Sequence, residues 1–142
     1  MPELKTYDLF ISHAWKYGDE YCNLIYLLDK APCFSYRNYS APSDKPLHNL
    51  DNSDVRTQRQ IKDAIGRKIL PVNIVVVISG MYANNRKWME YEIECAQNFR
   101  KPLIAIRPWG NSITPIYIQN AAEEVVGWNT NSIVQAIRKY SI

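Results

Sequence analysis

The 142 residues are enough for one domain with a buried core, and 46% hydrophobic with 22% charged residues is typical of a globular protein. A net charge of +3 without a basic run does not indicate nucleic acid as a partner. The longest apolar run, Ile74 to Ile78, is far shorter than the roughly 20 residues that span a bilayer. The N-terminus also lacks the layout of a signal peptide, so we expect a cytoplasmic protein with no membrane partner.

The first half of the chain predicts two strands and two helices. The stretch from Tyr7 to Ser12 is apolar and β-prone, and residues 34–39 form a shorter, more polar strand with edge-like character. Residues 41–52 hold two prolines and several Asp, Asn and Ser residues, which predicts a loop. The first helix ends before Pro32, and Ser53 or Asp54 caps the second. The apolar stripes are Tyr17, Tyr21, Leu24 and Leu28 in the first helix, and Val55, Ile61, Ala64, Ile65 and Ile69 in the second.

The second half continues the alternation of strand and helix. Ile74 to Ile78 is a continuous β-branched run, which is typical of a strand covered on both faces. A turn over 79–86 leads to a helix over 87–100, and residues 108–122 are too irregular to predict a helix. Strands follow at 103–107 and, more weakly, at 124–128. A cap at Thr130 or Asn131 begins the last helix, whose apolar face is Ile133, Ala136, Ile137 and Tyr140.

This order of elements predicts an α/β fold, a single domain over 1–142 with a five-stranded parallel sheet and helices on both faces. The expected strand order is 2-1-3-4-5, as in flavodoxin-like proteins. Ligands of such sheets bind beyond the carboxyl ends of the first and third strands, where the winding direction reverses.

Glu92 is the residue that does not fit the apolar pattern of its helix. With Trp88 at zero and about 100° per residue, the apolar face of this helix extends from Cys95 near 340° to about 140°. Glu92 falls near 40°, in the middle of this face. Phe99, near 20°, is predicted on that same face. Burying an unpaired carboxylate costs several kcal/mol, so the position favours a catalytic role. The alternatives are a carboxylate that interacts with the helix dipole or a basic neighbour, and a solvated position at the rim.

Other candidates lie in segments that follow predicted strands. At the end of the first strand, Ser12, His13 and Trp15 suit a polar pocket with an aromatic wall, although a helix cap and a surface Trp explain them equally well. After the second strand, Arg37 and Lys45 are candidates to neutralise a pyrophosphate and Tyr39 to stack on a base, with exposed loop residues as the alternative. Ser79 after the third strand and Trp88, one turn before Glu92, complete the predicted substrate-binding set, with packing as the other explanation for Trp88.

Several common chemistries lack their motifs. The sequence has no GxGxxG, no GxxxxGK[ST] and no GxSxG, which removes support for Rossmann, P-loop and α/β-hydrolase chemistry. His13 and His48 have no partner at metal-ligand spacing, so we expect no metal site. An odd number of cysteines without a CxxC pair, namely Cys22, Cys33 and Cys95, favours reduced thiols over disulfides or zinc.

Four stretches in order, YDLFISHAW, VVVISGMYANNRKWMEYEIECA, KPLIAIRPWG and VVGWNTNSIVQAI, resemble the TIR-like domain family of bacterial Thoeris anti-phage defence proteins. The resemblance runs from Tyr7 to about Ile137. It implies a flavodoxin-like TIR fold and an NAD nucleosidase or ADP-ribosyl cyclase, with NAD as substrate and no separate cofactor. The W-x-x-x-E motif of TIR enzymes, whose last residue is the catalytic Glu, corresponds here to Trp88 through Glu92.

The resemblance also implies partners. A Thoeris TIR-like protein makes a cyclic ADP-ribose signal that activates an effector protein, and TIR domains commonly self-associate. Some TIR domains are scaffolds without activity, so the alternatives are a non-catalytic interaction module and a domain that senses nucleotide without cleaving it.

Overall fold

The structure, a computed structural model, describes residues 5–12, 19–39, 55–81, 86–107 and 113–142. The strands are β1 Thr6–Ser12, β2 Ser35–Asn38, β3 Ile74–Ile78, β4 Leu103–Ile106 and β5 Glu124–Val126. The helices are α1 Asp19–Lys30, α2 Val55–Ile69, α3 Arg86–Asn98, α4 Ile116–Ala121 and α5 Thr130–Tyr140, with a short 3-10 turn at Ser79–Met81.

The five strands form one parallel sheet in the order β2-β1-β3-β4-β5, which confirms the predicted fold class and strand order. β3 lies in the centre, and all five of its side chains are buried. Helices cover both faces of the sheet, so every side chain of this strand is removed from water. This burial explains the unbroken run of Ile and Val, as predicted from the sequence.

Two apolar clusters occupy the two faces of the sheet. On one face, Leu9 and Ile11 of β1 pack with Leu24 of α1 and Ile137 of α5. On the other face, Phe10 of β1 packs with residues of α2, α3 and α4. Fully burying one such side chain contributes about 1.5–3 kcal/mol, so these two layers supply most of the apolar stabilisation. The second cluster, which contains α3, is the one that surrounds Glu92.

The carboxyl end of α3 is fixed by a residue in the left-handed region. Arg100 has φ of 57°, and the backbone N–H of Lys101 donates to the carbonyl oxygen of Ala96 at 2.8 Å. This is a left-handed C-terminal cap of the kind that glycine usually makes, here built with arginine. It ends the helix and turns the chain toward β4.

The structure corrects four details of the predicted elements. Residues 116–121, predicted as irregular, form α4, which begins directly after Pro115. The N-cap of α5 is Asn129 instead of Thr130 or Asn131, because its side chain accepts a hydrogen bond from the N–H of Ser132 at 3.2 Å. Phe99, predicted on the apolar face of α3, lies beyond the end of that helix and is 39% exposed. Several strands are also shorter than predicted at one or both ends.

Other predicted features lie partly outside the described residues. The predicted loop over 41–52 and the caps at Ser53 and Asp54 are in this part, as is Tyr17 of the first helical stripe. Leu24, Leu28, Ile65 and Ile69 are buried as predicted. The three cysteines are free thiols, with Cys95 buried and the other two exposed. Across the described ranges, none of the helices is long and apolar enough to cross a membrane.

Candidate functional site

Glu92 lies in the interior of the protein on the apolar face of α3. Its exposed fraction is 0%, the same as that of Met89 one turn before it and of Ile93 and Ala96 after it. The helical periodicity of the sequence places it there, since positions three and four apart share a face. Glu94, two residues further on, is exposed, so α3 presents one carboxyl to the core and another to solvent.

Two buried serines lie at the carboxyl ends of the strands that this part of α3 covers. Ser12 is the last residue of β1, is 0% exposed and is paired in register with Val77 of β3. Because side chains alternate along a strand, Ser12 shares its face with Phe10, which packs in the same cluster as α3. Ser79 follows β3 directly and is 2% exposed. The sequence predicted all three of Ser12, Ser79 and Glu92 as site residues.

These three side chains share a further property. Among the described residues, the buried side-chain oxygens without a hydrogen-bond partner are both carboxyl oxygens of Glu92 and the hydroxyl oxygens of Ser12 and Ser79. Most buried polar atoms in folded proteins have a partner, and a lost partner costs about 1–3 kcal/mol. Three such groups at one end of the sheet therefore lower the stability of the fold at that place. Proteins keep unfavourable groups of this kind at functional sites.

Burial controls the ionisation of Glu92. Removal from water raises its pKa from the ordinary 4.5 to about 8, and the nearby Ser12 hydroxyl opposes that rise without forming a hydrogen bond of good geometry. Burial also raises the pKa of the Cys95 thiol, to which the charge on Glu92 adds. At neutral pH the neutral acid of Glu92 is therefore the main form in the absence of a ligand.

Tyr39 lies close to this end of the sheet. It follows β2, and its backbone N–H donates to the carbonyl oxygen of Leu9 at 2.8 Å. Its ring is half-buried against the same apolar cluster that contains Met89 and Ile93 of α3. The position is compatible with the predicted role of stacking on a base, which stays a prediction.

Arg37 is placed differently. Its guanidinium donates to the carboxylate of Asp8 through Nε at 2.7 Å and through Nη2 at 3.2 Å. This ion pair raises the pKa of Arg37, chiefly through the hydrogen bond to Asp8. Asp8 is four residues before Ser12 on β1, a separation of about 13 Å along a strand. The structure thus does not bring Arg37 to Glu92, and the prediction that Arg37 binds substrate remains untested.

The other predicted substrate-binding residues cannot be placed. His13, Trp15 and Lys45 lie outside the described residues, and for Trp88 the described part is the backbone within α3. By chain order, His13 and Trp15 directly follow β1, and Lys45 lies in the segment between β2 and α2. Within the described ranges, no group of three or more His, Cys, Asp or Glu side chains is arranged to hold a metal ion.

Sequence reasoning did not anticipate a groove of about 600 Å³ between α2 and α3. Lys62 of α2 and Tyr91 of α3 meet across it, with the Lys62 Nζ 5.2 Å from the centre of the Tyr91 ring. Leu70 and Phe99 also line it and are 58% and 39% exposed. Glu92 is not part of its lining, so this groove is separate from the carboxyl-end cluster. The groove could not be predicted because the apolar periodicity of each helix gives no information on the distance between α2 and α3.

The chemistry available at the carboxyl ends of β1 and β3 follows from these groups. A water-excluded carboxyl with both oxygens unengaged can accept hydrogen bonds from sugar hydroxyls and can balance a positive charge that develops beside it. The two hydroxyls can donate to that carboxylate or to a ligand. The geometry suits a cationic or hydroxyl-rich ligand better than an anionic one at this point.

Comparison with known protein families adds an independent observation. The family described as "Thoeris protein ThsB, TIR-like domain" matches residues 10–113 of the chain, which include the end of β1, all of β2, β3 and β4, and Ser12, Ser79 and Glu92. No curated protein matches the chain.

Proposed function

The chain belongs to the family of Thoeris ThsB TIR-like domains, a defence family, and from this premise we propose that it cleaves the bond between nicotinamide and ribose in NAD. Glu92 is the proposed catalytic residue. The product is ADP-ribose or a cyclic ADP-ribose isomer, which acts in the cytoplasm as a signal for an effector protein.

The observation that carries this proposal is the buried carboxyl of Glu92, with no hydrogen-bond partner among the described residues, at the carboxyl ends of β1 and β3. Ligands of flavodoxin-like sheets bind at this edge, on the β1 and β3 side. The same carboxyl ends the sequence Trp88 to Glu92, which fits the motif that TIR enzymes use. Position in the fold, burial and sequence motif therefore coincide on one residue.

The reaction requires little proton transfer to the leaving group. Nicotinamide is bound to ribose as a cation, and when the bond breaks its nitrogen keeps the electron pair and departs as a neutral molecule. Positive charge then develops on the ribose, and an ionised Glu92 next to it lowers the energy of that transition state. The attacking oxygen comes from water for hydrolysis or from another hydroxyl of the same molecule for cyclisation, and after attack its proton passes to solvent water.

The raised pKa of Glu92 is compatible with this role. The positive charge of the nicotinamide ring favours the ionised carboxyl, so binding of NAD lowers the pKa of Glu92 from its value in the free protein. Substrate binding and ionisation of the catalytic group are thereby coupled, and the carboxylate forms where it is needed.

The test is release of nicotinamide from NAD by the purified chain, followed by chromatography and mass spectrometry. Glu92→Gln keeps the size of the side chain and removes its charge, and should abolish release. Glu94→Gln makes the same change at an exposed position on the same helix and should leave release intact. The mass of the second product separates hydrolysis from cyclisation, and nicotinamide release retained by Glu92→Gln would remove Glu92 from the mechanism.

The other two outcomes identify the alternatives. Binding of NAD without any product, at high protein concentration, would replace the proposal with a nucleotide-sensing domain. Absence of both binding and cleavage, together with self-association that depends on concentration, would replace it with an interaction module.

A further inference from the structure

We propose that Ser12 is a positioning residue for Glu92: its hydroxyl donates a hydrogen bond to the Glu92 carboxylate and holds one carboxylate oxygen, which leaves the other directed to the substrate. The effect of Ser12 on the carboxyl does not depend on what the protein does. Its consequence for NAD cleavage rests on the proposed function.

The geometry begins with the register of the sheet. Ser12 ends β1 opposite Val77 of β3, and Val77 packs in the apolar cluster that contains Met89 and Ile93. These two residues of α3 flank Glu92 on its own helix. Ser12 therefore faces the part of α3 from which Glu92 projects, and both side chains are 0% exposed. Neither has a hydrogen-bond partner among the described residues, so each is available to the other.

Ser12 and Ser79 are expected to differ in their effect on the Glu92 carboxyl. The pKa of Glu92 has two opposing influences, in which burial raises it and the Ser12 hydroxyl lowers it. A donor that lowers the pKa of a carboxyl is one that stabilises its ionised form. Ser79 is as buried and as unpartnered as Ser12, which makes it a matched control in the same environment.

Within the described part of the chain, few other groups that titrate surround Glu92. On α3 itself they are the Cys95 thiol and the Tyr91 phenol, and the phenol rings of Tyr39 and Tyr117 pack against the same cluster from outside α3. The cluster members contributed by β1, β3 and α2 are apolar side chains, among them Phe10, Val75 and Ile65. Among the described residues, burial raises the pKa of Glu92 and the Ser12 hydroxyl lowers it.

A hydroxyl is well suited to this position. Lysine or arginine in place of Ser12 would stabilise the carboxylate more strongly, but its positive charge would repel a cationic ligand and compensate the charge that Glu92 provides. A neutral donor orients the carboxylate and leaves its net charge for the ligand. Ser12 therefore partly stabilises the ionised carboxylate and does not neutralise the negative charge that Glu92 provides to the ligand.

The experiment is an NMR titration of the full chain labelled with ¹³C at the glutamate carboxyl. The Glu92 resonance is assigned by its absence in Glu92→Gln. Ser12→Ala should raise the midpoint of the Glu92 titration by about one pH unit, a tenfold increase in proton affinity, which is the scale of one hydrogen bond to a charged group. Ser79→Ala should leave the midpoint where it is, and Ser12→Thr, which keeps the hydroxyl, should restore it.

Each outcome decides the matter. An unchanged midpoint in Ser12→Ala, or an equal shift in Ser79→Ala, overturns the assignment. If Ser12→Ala does not fold, Ser12→Cys replaces it, since a thiol of similar size is a weaker donor and should also raise the midpoint.

The same variants separate this proposal from the proposed function. If the chain cleaves NAD, Ser12→Ala should move the pH profile of kcat/KM to higher pH by the same amount and lower kcat at neutral pH while KM changes little. A residue that only binds substrate would raise KM without moving the profile. A shifted titration in a chain that does not cleave NAD would refute the proposed function and leave the Ser12–Glu92 interaction standing.

Discussion

Glu92→Gln should change how the stability of the protein depends on pH. The pKa of Glu92 is raised from 4.5 to about 8 on folding because the carboxyl is buried. A carboxyl with a raised pKa holds its proton more tightly in the folded state than in the unfolded one. Its contribution to stability is therefore full below about pH 4.5 and is lost as the pH rises toward 8. Glutamine does not titrate, so the variant lacks this loss.

The size of the effect follows from the two pKa values. Between about pH 5 and pH 8 the folded state holds one proton more than the unfolded state, which gives a slope of about 1.4 kcal/mol per pH unit. Over the whole interval the loss is on the order of 5 kcal/mol, a large part of the 5–15 kcal/mol by which domains of ordinary stability stay folded. The buried amide of the variant has its own unfavourable term, which is the same at every pH.

The assay is urea unfolding of wild type and Glu92→Gln at several pH values from 5 to 8.5. The quantity of interest is the difference in the free energy of unfolding between the two proteins, which should increase in favour of the variant as the pH rises. Groups common to both proteins cancel in this difference. A difference that does not change with pH would refute the argument that burial of Glu92 controls its ionisation. A slope shared by the exposed Glu94→Gln would refute burial as its cause.

Three further predictions concern the site and the helices. If the ionised Glu92 is the active form, kcat/KM for NAD should rise with pH up to about 8, and a profile that falls over this range would contradict a carboxylate role. Gly66→Ala should stabilise the protein by about 0.5–1 kcal/mol in urea unfolding, because Gly66 lies inside α2 and a Cβ there would have no atom within 4 Å apart from its chain neighbours and the nearby backbone of its own helix. Arg100→Gly should also stabilise it, by about 0.5–1 kcal/mol, because φ at Arg100 is 57°, and a loss of stability would show that the arginine side chain compensates the strain.

The sheet could be predicted from sequence because its strongest feature is local. A run of five β-branched residues in β3 can be covered only from both faces, and alternation with helical stripes then leaves few topologies. The helix α4 was missed because it has six residues, too few for a periodic stripe to show. The predicted α5 cap, Thr130 or Asn131, was one or two residues too late, because Asn129, Thr130 and Asn131 are adjacent residues that can each cap a helix.

Part of the site was equally accessible from sequence. Helical periodicity alone placed Glu92 on the buried face of α3, and the strand order put the ends of β1 and β3 together. What sequence could not supply was the state of each polar group. From sequence, an arginine at position 37 is equally compatible with binding a phosphate and with forming an ion pair. The strand register places Arg37 opposite Asp8, and its side chain is held there by the hydrogen bond to that carboxylate.

The contrast between Asp8 and Glu92 bears on why the latter is there. A carboxylate that serves the fold is expected to have a partner, and Asp8, 15% exposed, has a two-point hydrogen bond to Arg37. Glu92 is more deeply buried, yet neither of its oxygens has a partner among the described residues. A Leu or Met at this position would pack in the same cluster without the pH-dependent loss of stability. This absence of a partner within the described ranges is the observation that favours the proposed role of Glu92 in chemistry at the ends of β1 and β3.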